Sequence, residues 1–209
     1  MDVRLIDILN AREARVHHQE ILLTEYRAPL LCFTMNIAGP VKTSPMIERG
    51  FRAGLALLDR QENILFKDVR ILPTGCEAYY VISAPAAEIK DFCVRIEENH
   101  PLGRLFDMDV LDIDGTKLER ENQRSCIVCG APGRACAASR AHSVAQLQEI
   151  TTRILTDFFR EQVADLAVQC LIDEVHTTPK PGLVDQRNNG SHKDMDAALF
   201  VSSAQALGP

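Results

Sequence analysis

The chain opens with apolar residues at helical spacing inside a segment dense in Arg and Glu. Leu5, Ile8, Leu9, Val16, Ile21 and Leu22 predict an amphipathic helix over about residues 3–25, ending before Pro29. One of its faces should pack and the other should meet water. The short apolar run from Leu30 to Ala38, closed by Gly39-Pro40, predicts a buried strand that feeds a loop. Ser44-Pro45 supplies an N-cap and a first-turn proline for a helix running to about Asp59.

Ile64 to Leu72 and Glu77 to Ser83 are rich in Val, Ile and Tyr and flank Pro73-Thr74-Gly75, the pattern of a strand pair. Ala86 to Asn99 reads as a further helix. Beyond Pro101, Asp114-Gly115 is a two-residue hairpin signal between strand-like flanks. Helices mixed with hairpins predict an α+β fold rather than a regular βαβ array. From Ser143 the pattern turns to long helices, with Val144, Leu147, Ile150, Ile154 and Phe158 as one apolar stripe and Val163, Leu166, Ala167, Cys170 and Leu171 continuing it. A boundary near Arg160 divides residues 1–160 from a helical segment, 161–209.

Composition fits this picture and narrows it. Hydrophobic residues make up 46% and charged residues 25% of 209, enough to bury a core. The N-terminus has no apolar run of signal-peptide length, and nowhere do about 18 apolar residues follow one another, so no membrane role and a cytoplasmic location are expected. Seven cysteines in such a chain predict reduced thiols, with metal binding as the other option. The net charge of −6 gives no electrostatic reason for a nucleic acid partner. One stretch departs from it: Lys117, Arg120, Arg124, Arg134 and Arg140 stand against only Glu119 and Glu121, a composition that attracts phosphates or an acidic protein, or else simply a solvated loop.

Alternation along a strand puts Asp107 and Asp109 on one face while Phe106, Met108 and Val110 point into a core. Two adjacent carboxylates repel each other unless a hard cation such as Mg²⁺ bridges them to substrate phosphates. Asp112 and Asp114 fall in the opposite phase and read as turn formers. An EF-hand alignment would place Val110 at its first ligand position, which argues against calcium. Just upstream, Gly103-Arg104 offers flexible backbone and a permanent cation for phosphate oxygens, or ordinary turn chemistry after Pro101.

Cys126-x-x-Cys129, then Cys136 and His142, make a candidate tetrahedral Zn²⁺ set. The crowding of arginines around it argues against a metal, with reduced structural thiols as the alternative.

The string GRLFDMDVLDIDG followed by RSCIVCGAPGRACAASRAH resembles the signature of citrate lyase holo-acyl-carrier-protein synthase, the phosphoribosyl-dephospho-CoA transferase. Gly103, Arg104, Leu105, Phe106, Asp107, Asp109, Arg124, Cys126, Cys129, Cys136, Arg140 and His142 carry the match, which covers about residues 1–160. A second segment, TTPKPGLVDQRNNGSHKDMD from Thr177 to Asp196, resembles the N-terminal motif of triphosphoribosyl-dephospho-CoA synthase. The two enzymes act in succession and occur fused. The stop at Pro209 is read as a second domain missing its remainder, with no activity expected of the segment alone.

This resemblance implies a nucleotidyltransferase that moves the prosthetic group from triphosphoribosyl-dephospho-CoA to a serine of the citrate lyase acyl carrier protein, the gamma subunit, releasing pyrophosphate. Asp107 and Asp109 then hold Mg²⁺ and Arg104 steadies phosphate oxygens, with one aspartate as general base in an alternative arrangement. Gly103, Arg124, Arg140 and His142 are expected to bind substrate or the carrier protein. Two competing readings remain. One is a non-catalytic docking module for citrate lyase whose cysteines bind structural zinc; the other is a bifunctional enzyme that also makes the precursor from ATP and dephospho-CoA.

Overall fold

The computed structural model describes residues 3–177, with side chains through residue 165. Residues up to Val168 form one compact unit, and Gln169–Pro209 form a second whose described part is the end of a helix. The motif beginning at Thr177 therefore lies outside the described residues beyond its first position. Among the described residues, no helix is long and apolar enough to cross a membrane.

The expected α+β architecture is present as one four-stranded antiparallel sheet in the order β2-β3-β1-β4. Its strands are β1 (Leu30–Met35), β2 (Ile64–Leu72), β3 (Gly75–Ile82) and β4 (Phe106–Leu111). The helices are α1 (Leu5–Tyr26), α2 (Pro45–Leu58), α3 (Ala86–Asn99), α4 (Gly133–Ser139) and α5 (Val144–Thr177), with a 3-10 turn at Gly103–Leu105. Helix α2 starts where Ser44-Pro45 predicts, with the Ile47 N–H donating to Ser44 Oγ at 3.3 Å.

Both faces of the central strands are buried. Leu31, Phe33, Ala78, Tyr80, Phe106, Met108 and Val110 share the larger core with Phe51 and Leu58 of α2 and Ile89 and Cys93 of α3. Phe33 stacks on Phe51 at 4.7 Å between ring centroids and meets Phe106 edge-on at 5.2 Å. The opposite face carries Leu30, Cys32, Tyr79 and Val81 against Leu22 of α1.

Three sequence expectations change. The apolar stripe of α1 is mostly exposed: Leu5, Leu9, Val16 and Ile21 lie open, and Leu22 is the one buried residue. The face turned to the sheet is instead that of Arg15, His18, Gln19 and Leu22, at i, i+3, i+4 and i+7: Arg15 bonds Glu77, His18 meets Arg70, Gln19 bonds Cys32 and Leu22 packs in the core. The hairpin at Asp114-Gly115 forms a turn, with the Gly115 N–H on the Asp112 carbonyl at 2.8 Å and Gly115 at φ +83°, but its far flank is a single Leu111–Lys117 bridge rather than a strand. Among the described side chains of α5 the buried positions are Thr151, Leu155 and Phe158; Phe158 belongs to the predicted stripe and Ile154 packs against the core half-buried, but Val144 is exposed and the most buried line runs one position beyond Ile150 and Ile154. Thr151 hid this phase because a polar residue interrupts the pattern. Its hydroxyl is satisfied inside the helix by the Leu147 carbonyl at 2.8 Å.

Candidate functional site

Strand β4 lies at the edge of the sheet, so its outward backbone groups need partners from elsewhere. Side chains supply them. The Met108 N–H donates to Glu97 Oε1 at 2.8 Å, Lys90 Nζ donates to the Met108 carbonyl at 3.1 Å, and Arg124 Nη1 donates to the Phe106 carbonyl at 2.7 Å. The Leu118 N–H closes on the Val110 carbonyl at 2.9 Å. Charged residues therefore line this edge, and a cleft of roughly 720 Å³ opens there.

Asp107 and Asp109 share one face of β4, as alternation predicts, and both line the cleft. Asp109 Oδ2 is 2.6 Å from Lys117 Nζ. Asp107 has Thr34 Oγ1 at 3.5 Å and no cation that close. Asp107 is exposed to the cleft, yet the protein atoms crowding it raise its proton affinity above the ordinary carboxylate value, and the neighbouring Asp109 charge adds to this, with Lys117 and Arg124 pulling the other way. Two carboxylates on one strand face are oxygen donors of the kind a hard cation takes, although Lys117 already pairs with Asp109. Asp112 and Asp114 act as turn formers: Asp112 Oδ1 accepts from the Ile113 N–H and Asp114 Oδ1 from the Thr116 N–H, each at 2.8 Å.

The cleft is cationic on balance. Lys90, Arg104, Lys117, Arg120, Arg124, Arg134 and Arg140 line it against Glu97, Asp107, Asp109 and Glu119. Arg104 sits within the 3-10 turn and donates to the Ser125 carbonyl. Arg124 is gripped from both sides, donating to the carbonyls of Phe106 and, at 2.6 Å, Gly103. Burial weakens its hold on a proton, an effect that Glu97 opposes. Glu97 itself is buried and raised by that burial, with Arg124 opposing. Arg120 Nε stands 3.8 Å from Glu97 Oε2, is shut off from solvent and has no hydrogen-bond partner.

A second group of donors sits on the same wall. Cys126, Cys129, Cys136 and His142 present ligand atoms within 4.8 Å of one another, a cluster able to hold a metal ion. Cys129 Sγ is 3.6 Å from Cys136 Sγ and 3.3 Å from His142 Nε2. Backbone N–H groups of Cys129 and Val128 hold the Cys126 thiol down to about 6. Cys32, Cys76 and Cys93 are buried, and burial pushes their thiols up.

Of the residues singled out in the sequence, Arg104, Asp107, Asp109, Arg124, Cys126, Cys136, Arg140 and His142 line this one cleft. Gly103 does not. It is buried against the end of α3, where an added Cβ would stand 2.4 Å from the Glu97 carbonyl oxygen, so its hydrogen is what the packing allows. Lys90 and Glu97 were missed. Seven residues apart, they share a helix face with the buried Ile89, Cys93 and Ile96, and charges at core positions were the signal that marks them.

The family described as Apo-citrate lyase phosphoribosyl-dephospho-CoA transferase matches residues 3–158, and that described as ATP:dephospho-CoA triphosphoribosyl transferase matches residues 160–209. Protein CitXG of Haemophilus influenzae is 36% identical over 217 residues, covering 99% of this chain and 47% of the relative. Protein CitXG of Leuconostoc mesenteroides is 32% identical, covering 99% of this chain and 49% of the relative. A Streptococcus pyogenes protein named Probable apo-citrate lyase phosphoribosyl-dephospho-CoA transferase is 34% identical over 170 residues, 76% of this chain and 88% of the relative. The chain spans about half the length of the two CitXG relatives.

Proposed function

Because the chain belongs to the apo-citrate lyase phosphoribosyl-dephospho-CoA transferase family, we propose that it moves the phosphoribosyl-dephospho-CoA group from triphosphoribosyl-dephospho-CoA onto a serine of the apo citrate lyase acyl carrier protein, its gamma subunit. Pyrophosphate is the other product. The observation that carries this reading is the meeting of the Asp107–Asp109 pair with Arg104, Arg124 and Arg140 in one cleft, a match for a polyphosphate that reacts at one end. The proposed setting is the cytoplasm, where its cysteines stay reduced.

In this reaction the serine oxygen bonds to the α-phosphorus, and the bridging oxygen to the β-phosphorus leaves with its electron pair as pyrophosphate. Alignment and charge neutralisation dominate such chemistry. Arg104, Arg124 and Arg140 meet the phosphate oxygens, and His142 adds a neighbouring donor. Asp107 and Asp109 offer the oxygen donors for Mg²⁺, whose charge when bound offsets that of the triphosphate. In the alternative arrangement Asp107 takes the serine proton, a role its raised proton affinity favours. Zn²⁺ rather than Mg²⁺ suits the three thiols and imidazole of the Cys126 cluster, and it has no step in the transfer.

The test mixes this chain with apo carrier protein, triphosphoribosyl-dephospho-CoA and Mg²⁺ and follows the carrier by mass spectrometry. A mass gain equal to the prosthetic group, with pyrophosphate released, is expected. An unmodified carrier beside a folded chain would favour a docking module instead. Residues 160–209 match the family that makes the precursor. Supplying ATP and dephospho-CoA in its place tests whether this chain has that activity.

A further inference from the structure

We propose that Cys126, Cys129, Cys136 and His142 hold one structural Zn²⁺ and that this ion braces the arginine-bearing wall of the cleft. Binding of the metal stands independently of the transferase reading, and only the bracing arm bears on it.

Geometry is the first argument. Tetrahedral zinc with Zn–S near 2.3 Å and Zn–N near 2.0–2.1 Å sets its ligand atoms about 3.5–3.8 Å apart. The observed 3.6 Å between Cys129 Sγ and Cys136 Sγ and 3.3 Å between Cys129 Sγ and His142 Nε2 are close to that spacing, and all four ligand atoms lie within 4.8 Å of one another, so closing on an ion needs shifts of about 1 Å or less. The backbone is shaped to the same end. After Cys129, Gly130 turns at φ +75° and returns its N–H to the Cys126 carbonyl at 2.9 Å, while the Val128 N–H points at Cys126 Sγ at 3.4 Å. A C-x-x-C-Gly turn of this kind aims two sulfurs at one point and offers N–H groups to a thiolate. At the far side Arg140 adopts a left-handed conformation, φ 50° and ψ 43°, which lets the Ala141 N–H reach the Cys136 carbonyl at 3.0 Å and brings His142 back toward Cys129. A non-glycine residue held there needs surroundings that fix it.

The second argument is what else holds this segment. Helix α4 is seven residues long and buries none of them. Segments with so little apolar burial hold one conformation when a metal or a disulfide ties them down. The charge argument against a metal also reverses. Three thiolates with one Zn²⁺ carry a net single negative charge, so the nearby Arg134 and Arg140 complement the site.

The wall follows from connectivity. Arg124 and Ser125, whose carbonyl receives Arg104, directly precede Cys126; Arg134 lies between Cys129 and Cys136; Arg140 lies two residues before His142. Fixing the four ligands fixes those cations.

The experiment measures zinc in the full chain, purified without chelator, by elemental mass spectrometry. One equivalent per chain is expected, falling to near zero in C129S and H142A. If those variants fail to fold, Co²⁺ loaded into the wild type reports through the visible absorption of tetrahedral thiolate coordination. A chain without zinc that fails to take up one equivalent on reconstitution, or a mass lower by two hydrogens from a Cys129–Cys136 disulfide, overturns the site. Inorganic tripolyphosphate, titrated by calorimetry against loaded and stripped wild type, tests the bracing. Its affinity should drop about tenfold or more on stripping, the scale of one charge-assisted contact. Unchanged affinity overturns the bracing, while failed transfer with intact zinc binding counts only against the transferase reading.

Discussion

Gly103 lies so close to Glu97 that a Cβ on it would stand 2.4 Å from the Glu97 backbone oxygen. The same glutamate accepts the Met108 N–H through its side chain, and the Gly103 carbonyl receives Arg124. One glycine thus sets how α3, the start of β4 and the Arg124 loop meet. Backbone cannot yield as a flexible side chain does, so G103A should destabilise the fold by about 1–3 kcal/mol or more, the usual scale of overpacking. Urea unfolding checks this, through a lower midpoint at constant slope.

Asp107 should show opposite signs in activity and stability. D107N removes a carboxylate from the proposed reaction and is expected to slow transfer roughly 10²–10⁴-fold, the range of a lost acid–base group. Its effect on stability follows from the raised proton affinity. Between the ordinary carboxylate pKa of about 3.9 and the raised folded value, the unfolded chain gives up its proton first, so the wild type loses stability as pH rises through that window. D107N should therefore be the more stable protein at neutral pH, by up to about 1 kcal/mol given its screening by solvent. That gap should close as pH falls toward the ordinary carboxylate range. Thermal melts of both proteins across that range would show it, and a less stable D107N at neutral pH would refute the assignment.

Local pattern made most of the fold legible. Ser44-Pro45 marks the start of α2, and alternation separates Asp107 and Asp109 from Phe106, Met108 and Val110. What stayed hidden depended on partners far along the chain. Nothing within α1 shows that the polar Arg15, His18 and Gln19, with Leu22, face the sheet while Val16 and Ile21 face outward. Lys90 and Glu97 lie on the buried face of α3 because the edge of β4, more than ten residues on, needs a donor and an acceptor. The cysteine spacing was visible, but its closure depends on the left-handed turn at Arg140.

The phase of α5 gives a direct test of how that helix packs. Leu155 is 2% exposed, and one of its methyl carbons would lie 2.8 Å from a Cβ on Gly50, whereas Ile150 is only half-buried. L155A should cost about 2–5 kcal/mol, the range for a large-to-small change in a core. I150A should cost distinctly less. Equal losses, measured by chemical denaturation, would restore the stripe predicted from sequence.

His100 should make stability sensitive to mild acid. Its ring stacks on Phe106 at 5.2 Å between centroids, and Nδ1 accepts the Leu102 N–H at 3.1 Å, which it does only when that nitrogen carries no proton. Burial lowers its pKa in the folded protein. The sign follows: below about 6.5, the ordinary imidazole value, the unfolded chain takes up a proton first, so stability is complete above that pH and declines as pH falls toward the folded pKa. H100N keeps an acceptor for Leu102 but neither stacks nor titrates, so it should be less stable at pH about 7.5 and yet lose less on going to about 5.5. A slope remains in H100N because His18, held low by burial and by Arg70, titrates with the same sign. Urea unfolding at both pH values decides it: equal losses in the two proteins would mean that His100 does not contribute to the acid sensitivity of the fold.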